Sequence, residues 1–531
     1  MSILFENFTP GVAPFGQLFP LNDLFYGTTS TDNVGGNGTI FSIRNDGSNY
    51  TVLHLFTGTD GAGPQSGVTC YLSNLLIGTT LQGGTNNSGV LYSFNISSSS
   101  YNVLYNFNFA DINGCNPYGT PLLIGNKLYG TTSATGGGYG TIYEYDLGTS
   151  TFTLLYSLTP SDGGSSRCSL INIGRILYGT ALNNGANNTG TIFSFNLDTS
   201  VFTVLYSFLA VDGSSINASG ASPYSGLLFT NSLLYGTTIT GGTYGSGVVY
   251  SITPDGSTFT TIHSFNTNFS NEGAFPYGGL IANNDILYGI TTQGGQTVDS
   301  SLLYSIKIST NEFSILYSFG PYGNAYDAMI LQNNILYGTL SMGGIGNNGA
   351  IFYYSLPIVC FKEGSKILTD KGYVQIQNLR RGDLVMTIKH GYVPIDSIGK
   401  KEIFNHPSPD NRKKDQLYIC SKDQFPEMVE SEGELILTGC HSILVDRFKD
   451  HERKQTEIVL GDIYVTDGKY RLPACVDART KVYPVSGLVT LYHFALENEN
   501  YFTNYGVFAQ GLLVETCSRR YLKELSGMNL Y

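Results

Sequence analysis

Short runs of alternating apolar and polar residues, broken by Gly, Asn, Asp and Pro, fill the first two-thirds of this chain. One stretch shows the pattern. Gly226 to Phe229 is followed by a Thr-Asn turn, then Ser232 to Thr238, a Gly-rich loop, Gly247 to Ile252, and Thr258 to Phe265. The runs are rich in β-branched and aromatic residues and too short for helices, so each reads as a strand. Four strands of this kind recur seven times. The marker is a phrase first seen as Phe25-Tyr26-Gly27-Thr28-Thr29 and last seen as Leu336-Tyr337-Gly338-Thr339.

The glycines of that phrase, Gly27, Gly78, Gly130, Gly179, Gly236, Gly289 and Gly338, are 49 to 57 residues apart. A period of ~50 residues with four strands per unit predicts a seven-bladed β-propeller; an open β-solenoid is the alternative architecture. The seventh unit has its third strand, Gly349 to Tyr354, and no fourth before Pro357. Ile3-Leu4-Phe5-Glu6-Asn7-Phe8 has the missing pattern, so an N-terminal strand is expected to close blade seven and remove an exposed edge. The units Leu-Tyr-Gly-Thr-Thr, Gly-Thr-Ile-Phe-Ser and Leu-Tyr-Ser-Phe resemble Gly-Thr-Thr-type tandem repeats of bacterial surface or secreted proteins. The resemblance spans about residues 1–356 and implies no particular chemistry.

Charge then separates the chain in two. Residues 1–359 carry five basic residues against 17 acidic ones, whereas residues 360–531 carry 23 of each. A thinly acidic repeat array argues against nucleic acid or an anionic membrane as partner. No run approaches the ~20 apolar residues of a membrane span, and the N-terminus lacks a signal pattern. A soluble chain made in the cytoplasm is expected, with a cell or virion surface as a final destination the sequence does not name. The eight cysteines follow no disulfide or zinc spacing, so reduced thiols, no metal and no cofactor are expected. The repeat loops hold Thr, Asn, Ser, Gly and Tyr, and offer no pair of carboxylates for glycoside chemistry. A glycan or protein ligand remains open for them. His54 and His263 fall inside fourth-strand patterns and read as packed strand residues.

From Cys360 onward the strands continue in a different composition, as in Ser365 to Thr369, Asp383 to Thr387 and Leu488 to Leu496. A lone thiol opens this part, and Thr438-Gly439-Cys440-His441 follows. A cysteine at the first position of a domain is placed to attack the carbonyl carbon of the residue before it, here Val359.

These residues resemble the Hint family, the fold shared by hedgehog autoprocessing domains and inteins. The matching elements are Cys360 with its Gly-Ser-Lys-Ile turn, Leu379-Arg380-Arg381-Gly382-Asp383-Leu384-Val385, the Thr-x-x-His, and the closing runs from Tyr492 to Leu496 and Asn504 to Ala509. The resemblance implies an N-to-S acyl shift at Val359-Cys360, with His441 protonating the departing nitrogen and Thr438 orienting it or holding the peptide. It places His493 beside the nucleophile as a further catalytic candidate. Cys420, Cys440, Cys475 and Cys517 are taken as structural, and Asp383 as a turn cap. Inteins end in His-Asn before a nucleophile; here Gln510-Gly511-Leu512 stands instead, so splicing is not expected. Water or a small external nucleophile is then left to resolve the thioester. The expected organisation is a propeller over 1–359, a Hint domain over 360–517, and a polar tail over 518–531 without a sterol-recognition region. The expectation is therefore an all-β, self-cleaving precursor acting as a hydrolase or acyl transferase in cis. Its alternative is a structural or glycan-binding surface propeller carrying an inactive Hint-like domain.

Overall fold

The computed structural model describes the chain apart from residues 1, 10, 32–35, 136–137, 267–271, 284, 295–300, 321–323, 333–334, 357–359, 406, 408–411, 413–415, 450, 461–462, 501–502, 520, 523–527 and 531. Two compact units form: Met1–Gln332 with Leu336–Tyr354, and Ser355–Tyr531 with Asn333–Ile335.

Seven antiparallel sheets make the first unit a seven-bladed β-propeller. Each has a short first strand, such as Leu228–Thr230, then Leu233–Thr238, Val248–Ile252 and Phe259–Ser264. The last blade takes its fourth strand from the chain start: Ser2–Phe5 pairs with Ala350–Ser355, Ile3 opposite Phe352.

The recurring phrase has a steric origin. A Cβ on Gly78, Gly130, Gly236 or Gly289 would lie within 2.4 Å of the hydroxyl of Tyr92, Tyr143, Tyr250 or Tyr304 on the adjacent strand. On Gly27, Gly179 and Gly338 it would meet the rings of Phe41, Phe193 and Phe352 at 2.6 Å. The glycine therefore leaves room for a buried aromatic that fills the blade. The threonine after it bridges blades. Thr28, Thr79, Thr131, Thr180, Thr237 and Thr339 donate their hydroxyls to the carbonyls of Ser66, Gly119, Cys168, Ser225, Gly278 and Gly16. The bond to Gly16 runs from the seventh blade back to the first, so the same contact closes the circle.

Outer strands are joined by stacked rings. Tyr105–Phe152, Tyr156–Phe202 and Tyr206–Phe259 stack at 3.9, 4.4 and 4.0 Å. His54–Tyr101 and His263–Phe313 do the same at 3.9 and 4.1 Å. The two histidines thus occupy tyrosine places in an inter-blade stack. Burial pulls His263 down to a pKa of about 4.

The second unit is mostly β, with a helix at Glu452–Leu460, short 3-10 turns and a helical stretch at Arg519, Tyr521 and Leu522 among its described residues. Its spine is the antiparallel pair Gly391–Asn405 and Gly487–Leu496. Strand Phe361–Lys362 lies between Gly487–Leu496 and Leu435–Thr438, with Phe361 opposite both Tyr492 and Leu437. Phe361, Ile367, Val385, Ile398, Leu437, Ile443, Phe494 and Val507 belong to one buried core.

Candidate active site

Cys360 immediately precedes the strand that sits between these two neighbours, which brings Thr438 to one side of it. The Cys360 N–H donates to Thr438 Oγ1 at 2.9 Å, and the Thr438 N–H donates to the Cys360 carbonyl at 3.0 Å. Strand Leu435–Thr438 ends there. A tight turn follows, closed by the His441 N–H on the Thr438 carbonyl at 2.9 Å. That turn is why the threonine and histidine are three residues apart: the chain reverses within them and returns the imidazole toward Cys360. The Ala474 N–H on the His441 carbonyl fixes the far side.

His441 packs edge-on to the Phe361 ring at 4.3 Å, and His493 lies 5.3 Å from His441 between ring centroids. His493 comes from the spine strand Gly487–Leu496, opposite Gly399. Cys360, Thr438, His441 and His493 are therefore gathered in one place, and all are buried. Val359, the other half of the expected scissile bond, lies outside the described residues.

Both imidazoles are fully buried, and among the described residues none of their four ring nitrogens has a hydrogen-bond partner. Burial lowers His441 to about 4; the carbonyls of Cys360 and Glu515 face it and pull back weakly, without the geometry of formed hydrogen bonds. His493 is likewise driven well below its ordinary value by burial and by His441 beside it. Neutral imidazoles are proton acceptors, so the site holds two bases. Burial also raises the Cys360 thiol far above its usual value, and the nearby Lys401 offsets this only in part. The resting sulfur is a thiol, so attack requires a base to take its proton as the bond forms.

The Gloeobacter/Verrucomicrobia repeat family matches residues 13–219 and 211–352, more than half of the sequence. The chain belongs to that family. The Hint domain family matches residues 359–467, which begin at the Val359-Cys360 junction and include Thr438 and His441. No curated protein matches the chain. Among solved structures, an oligogalacturonate lyase in complex with manganese is similar at TM-score 0.43 and 12% identity, over 66% of this chain and 90% of that one. A nidogen/laminin complex follows at TM-score 0.34 and 10% identity, over 56% and 93%. TolB from Acinetobacter baumannii gives 0.31 and 13%, over 63% and 78%.

The Hint domain holds more around Cys360 than its motifs announce. Sequence reasoning leaves residues 518–531 as a polar tail. In the structure Leu522 and Met528 are buried with Cys360, Leu417, Leu491 and Cys517, and the Cys360 sulfur lies 3.9 Å from the Met528 sulfur. Asn529–Leu530 then pairs with the spine at Lys400 and Gly399. Cys517, taken as structural, donates its thiol to the Phe494 carbonyl at 3.3 Å within this cluster. Lys401 was not anticipated either. Its signal is the alternation of Lys400, Glu402 and Phe404 with Lys401 and Ile403, which turns the last two to the covered face. Burial lowers the Lys401 pKa and the neighbouring Cys360 sulfur works against that shift. Among the described residues no helix is long and apolar enough to cross a membrane.

Proposed function

We propose that the Hint domain of this protein cleaves its own chain between Val359 and Cys360 and frees the propeller. The observation that carries this reading is the hydrogen bond from the Cys360 N–H to Thr438 Oγ1, since that nitrogen is the leaving group of the bond to be broken. A neutral His441 accepts the Cys360 thiol proton as sulfur attacks the Val359 carbonyl carbon. The resulting imidazolium then gives that proton to the nitrogen held by Thr438 as the C–N bond breaks. The product is a Val359 thioester on Cys360, whose amine is now free. Water or a small thiol attacks the thioester carbon and regenerates the Cys360 thiol. His493 is a second base in reach of the same histidine, and its role is to accept the proton of the resolving nucleophile. In this reading the released repeat domain is a binding or structural module.

Intact mass of purified full-length chain tests the reading. Fragments ending at Val359 and starting at Cys360 are expected, and Cys360→Ala should abolish them. A chain that stays whole with excess hydroxylamine or dithiothreitol overturns it.

A dormant Hint domain is the second reading, favoured by the complete burial of Cys360 under Leu522 and Met528. It predicts that even a denatured and refolded chain remains uncleaved.

A further inference from the structure

Twelve residues before six of the seven motif glycines stand Phe15, Tyr118, Arg167, Tyr224, Tyr277 and Tyr326, one per blade. The second blade has a one-residue longer turn and offers Gln65 at the matching place. Each precedes the innermost strand of its blade. Each is half-buried, although the residues just before them (Pro14, Pro117, Ser166, Pro223, Pro276 and Ala325) are buried. This alternation, with contacts running from blade to blade, sets six of these side chains around the propeller axis.

Those six touch one another in blade order. Phe15 stacks on Tyr326 at 4.6 Å across the closure of the ring, Tyr326 meets Tyr277 at 5.3 Å, and Tyr277 meets Tyr224 at 5.1 Å. The Arg167 guanidinium continues the belt, 5.4 Å from the Tyr224 ring centroid and 4.5 Å from that of Tyr118. Nothing in blade stability asks for an arginine here, since four blades use tyrosine at this place. Residues 1–359 contain only five basic residues. Lys127 and Arg175 pair with Glu144 and Asp198 on the blades. Arg167 pairs with no carboxylate among the described residues, and its Nε is buried without a hydrogen-bond partner. Asp327, the acid beside Tyr326, is already engaged by the backbone N–H groups of Gln17 and Ala328.

We propose that this belt is a binding site for a small carboxylate-bearing ligand. The Arg167 fork takes the carboxylate in a two-pronged, charge-assisted contact. The flanking Tyr118 and Tyr224 hold the guanidinium plane, and Tyr277, Tyr326 and Phe15 present aromatic surface to the apolar face of the ligand. A single cation in an aromatic ring selects against neutral molecules of the same shape, because those leave Arg167 unpaired. The site is independent of the Hint chemistry.

Calorimetric titration of the full chain with galacturonate, benzoate and galactose tests this. Saturable binding of galacturonate, benzoate or both is expected, with galactose bound at least about tenfold more weakly. An acidic sugar is indicated if galacturonate wins, and an aromatic acid if benzoate does. Arg167→Gln should weaken the carboxylate at least about tenfold while its melting temperature stays that of the parent. In the unaltered chain, the bound carboxylate should protect Arg167 from phenylglyoxal, read by peptide mass, which decides the matter even if the variant folds poorly. Absence of carboxylate binding, equal binding of galactose, or undiminished modification of Arg167 at saturation would each overturn the proposal.

Discussion

Cys360 and Thr438 are joined by hydrogen bonds in both directions: the Cys360 N–H on Thr438 Oγ1 at 2.9 Å, and the Thr438 N–H and, more loosely, the Thr438 hydroxyl on the Cys360 carbonyl at 3.0 and 3.4 Å. The first prediction follows from the side-chain half of this pair. Thr438→Val keeps the shape and removes the acceptor, leaving a buried N–H unsatisfied at a cost of about 1–3 kcal/mol. Self-cleavage should slow by roughly 10–100-fold, whereas Thr438→Ser should stay within a few-fold of the parent. Time courses of intact mass after refolding read both. Equal rates for valine and serine would remove Thr438 from the chemistry.

His441 makes the second unit acid-sensitive. Its folded pKa of about 4 is below the ordinary imidazole value of 6.5, so the unfolded chain binds the proton more readily. Stability from this group is therefore full above about 6.5 and is lost as pH falls toward about 4, on the order of 3 kcal/mol. His493, shifted the same way, adds to the loss. Thermal melting of the Cys360→Ala chain between about pH 7.5 and about pH 4 checks this. His441→Gln should flatten the pH dependence of the second unit's transition. An unchanged slope would mean that His441 is not buried neutral.

The residues after Cys517 shield the Cys360 sulfur, so their removal should expose it. Ending the chain at Ser518 deletes Leu522 and Met528, which pack on Cys360, together with the strand Asn529–Leu530. Iodoacetamide labelling of Cys360, followed by peptide mass, should accelerate at least about tenfold, because reaction needs access as well as thiolate. Labelling as slow as in the parent would show that the tail does not guard the sulfur.

What could be read from the chain beforehand divides along physical lines. The motif glycines were legible because one steric demand, room for an aromatic on the next strand, is repeated at seven places. The Thr438–His441 spacing was legible because a tight turn fixes it locally. His54 and His263 read as packed strand residues, but their partners Tyr101 and Phe313 belong to other blades, so the stack itself was invisible in a single unit. Met528 was hidden for a similar reason. A methionine near the chain end carries no period, and only the pairing of Asn529–Leu530 with Gly399 and Lys400 brings it to Cys360. The axial belt was hidden by its variety: tyrosine, phenylalanine, arginine and glutamine share a position rather than a chemistry.

The last prediction concerns closure of the propeller. Ser2–Phe5 supplies the outer strand of blade seven, and the next residues anchor it. Phe5 stacks on Tyr50 of the first blade at 4.8 Å, while Phe8 is fully buried against Phe41 and Tyr50, at 5.5 Å from each ring. The start of the chain thus binds the last blade through backbone pairing and the first blade through aromatic packing. Deleting residues 1–9 removes both. Loss of Phe8 burial alone costs about 2–3 kcal/mol, and the freed edge of Ala350–Ser355 becomes a template for other chains. The propeller's melting temperature should fall by several degrees, and light scattering should reveal aggregation on heating. Phe8→Ala, which keeps the strand, should reproduce the thermal loss with little of the aggregation. A truncated chain as stable and as soluble as its parent would show that the seventh blade stands without its N-terminal strand.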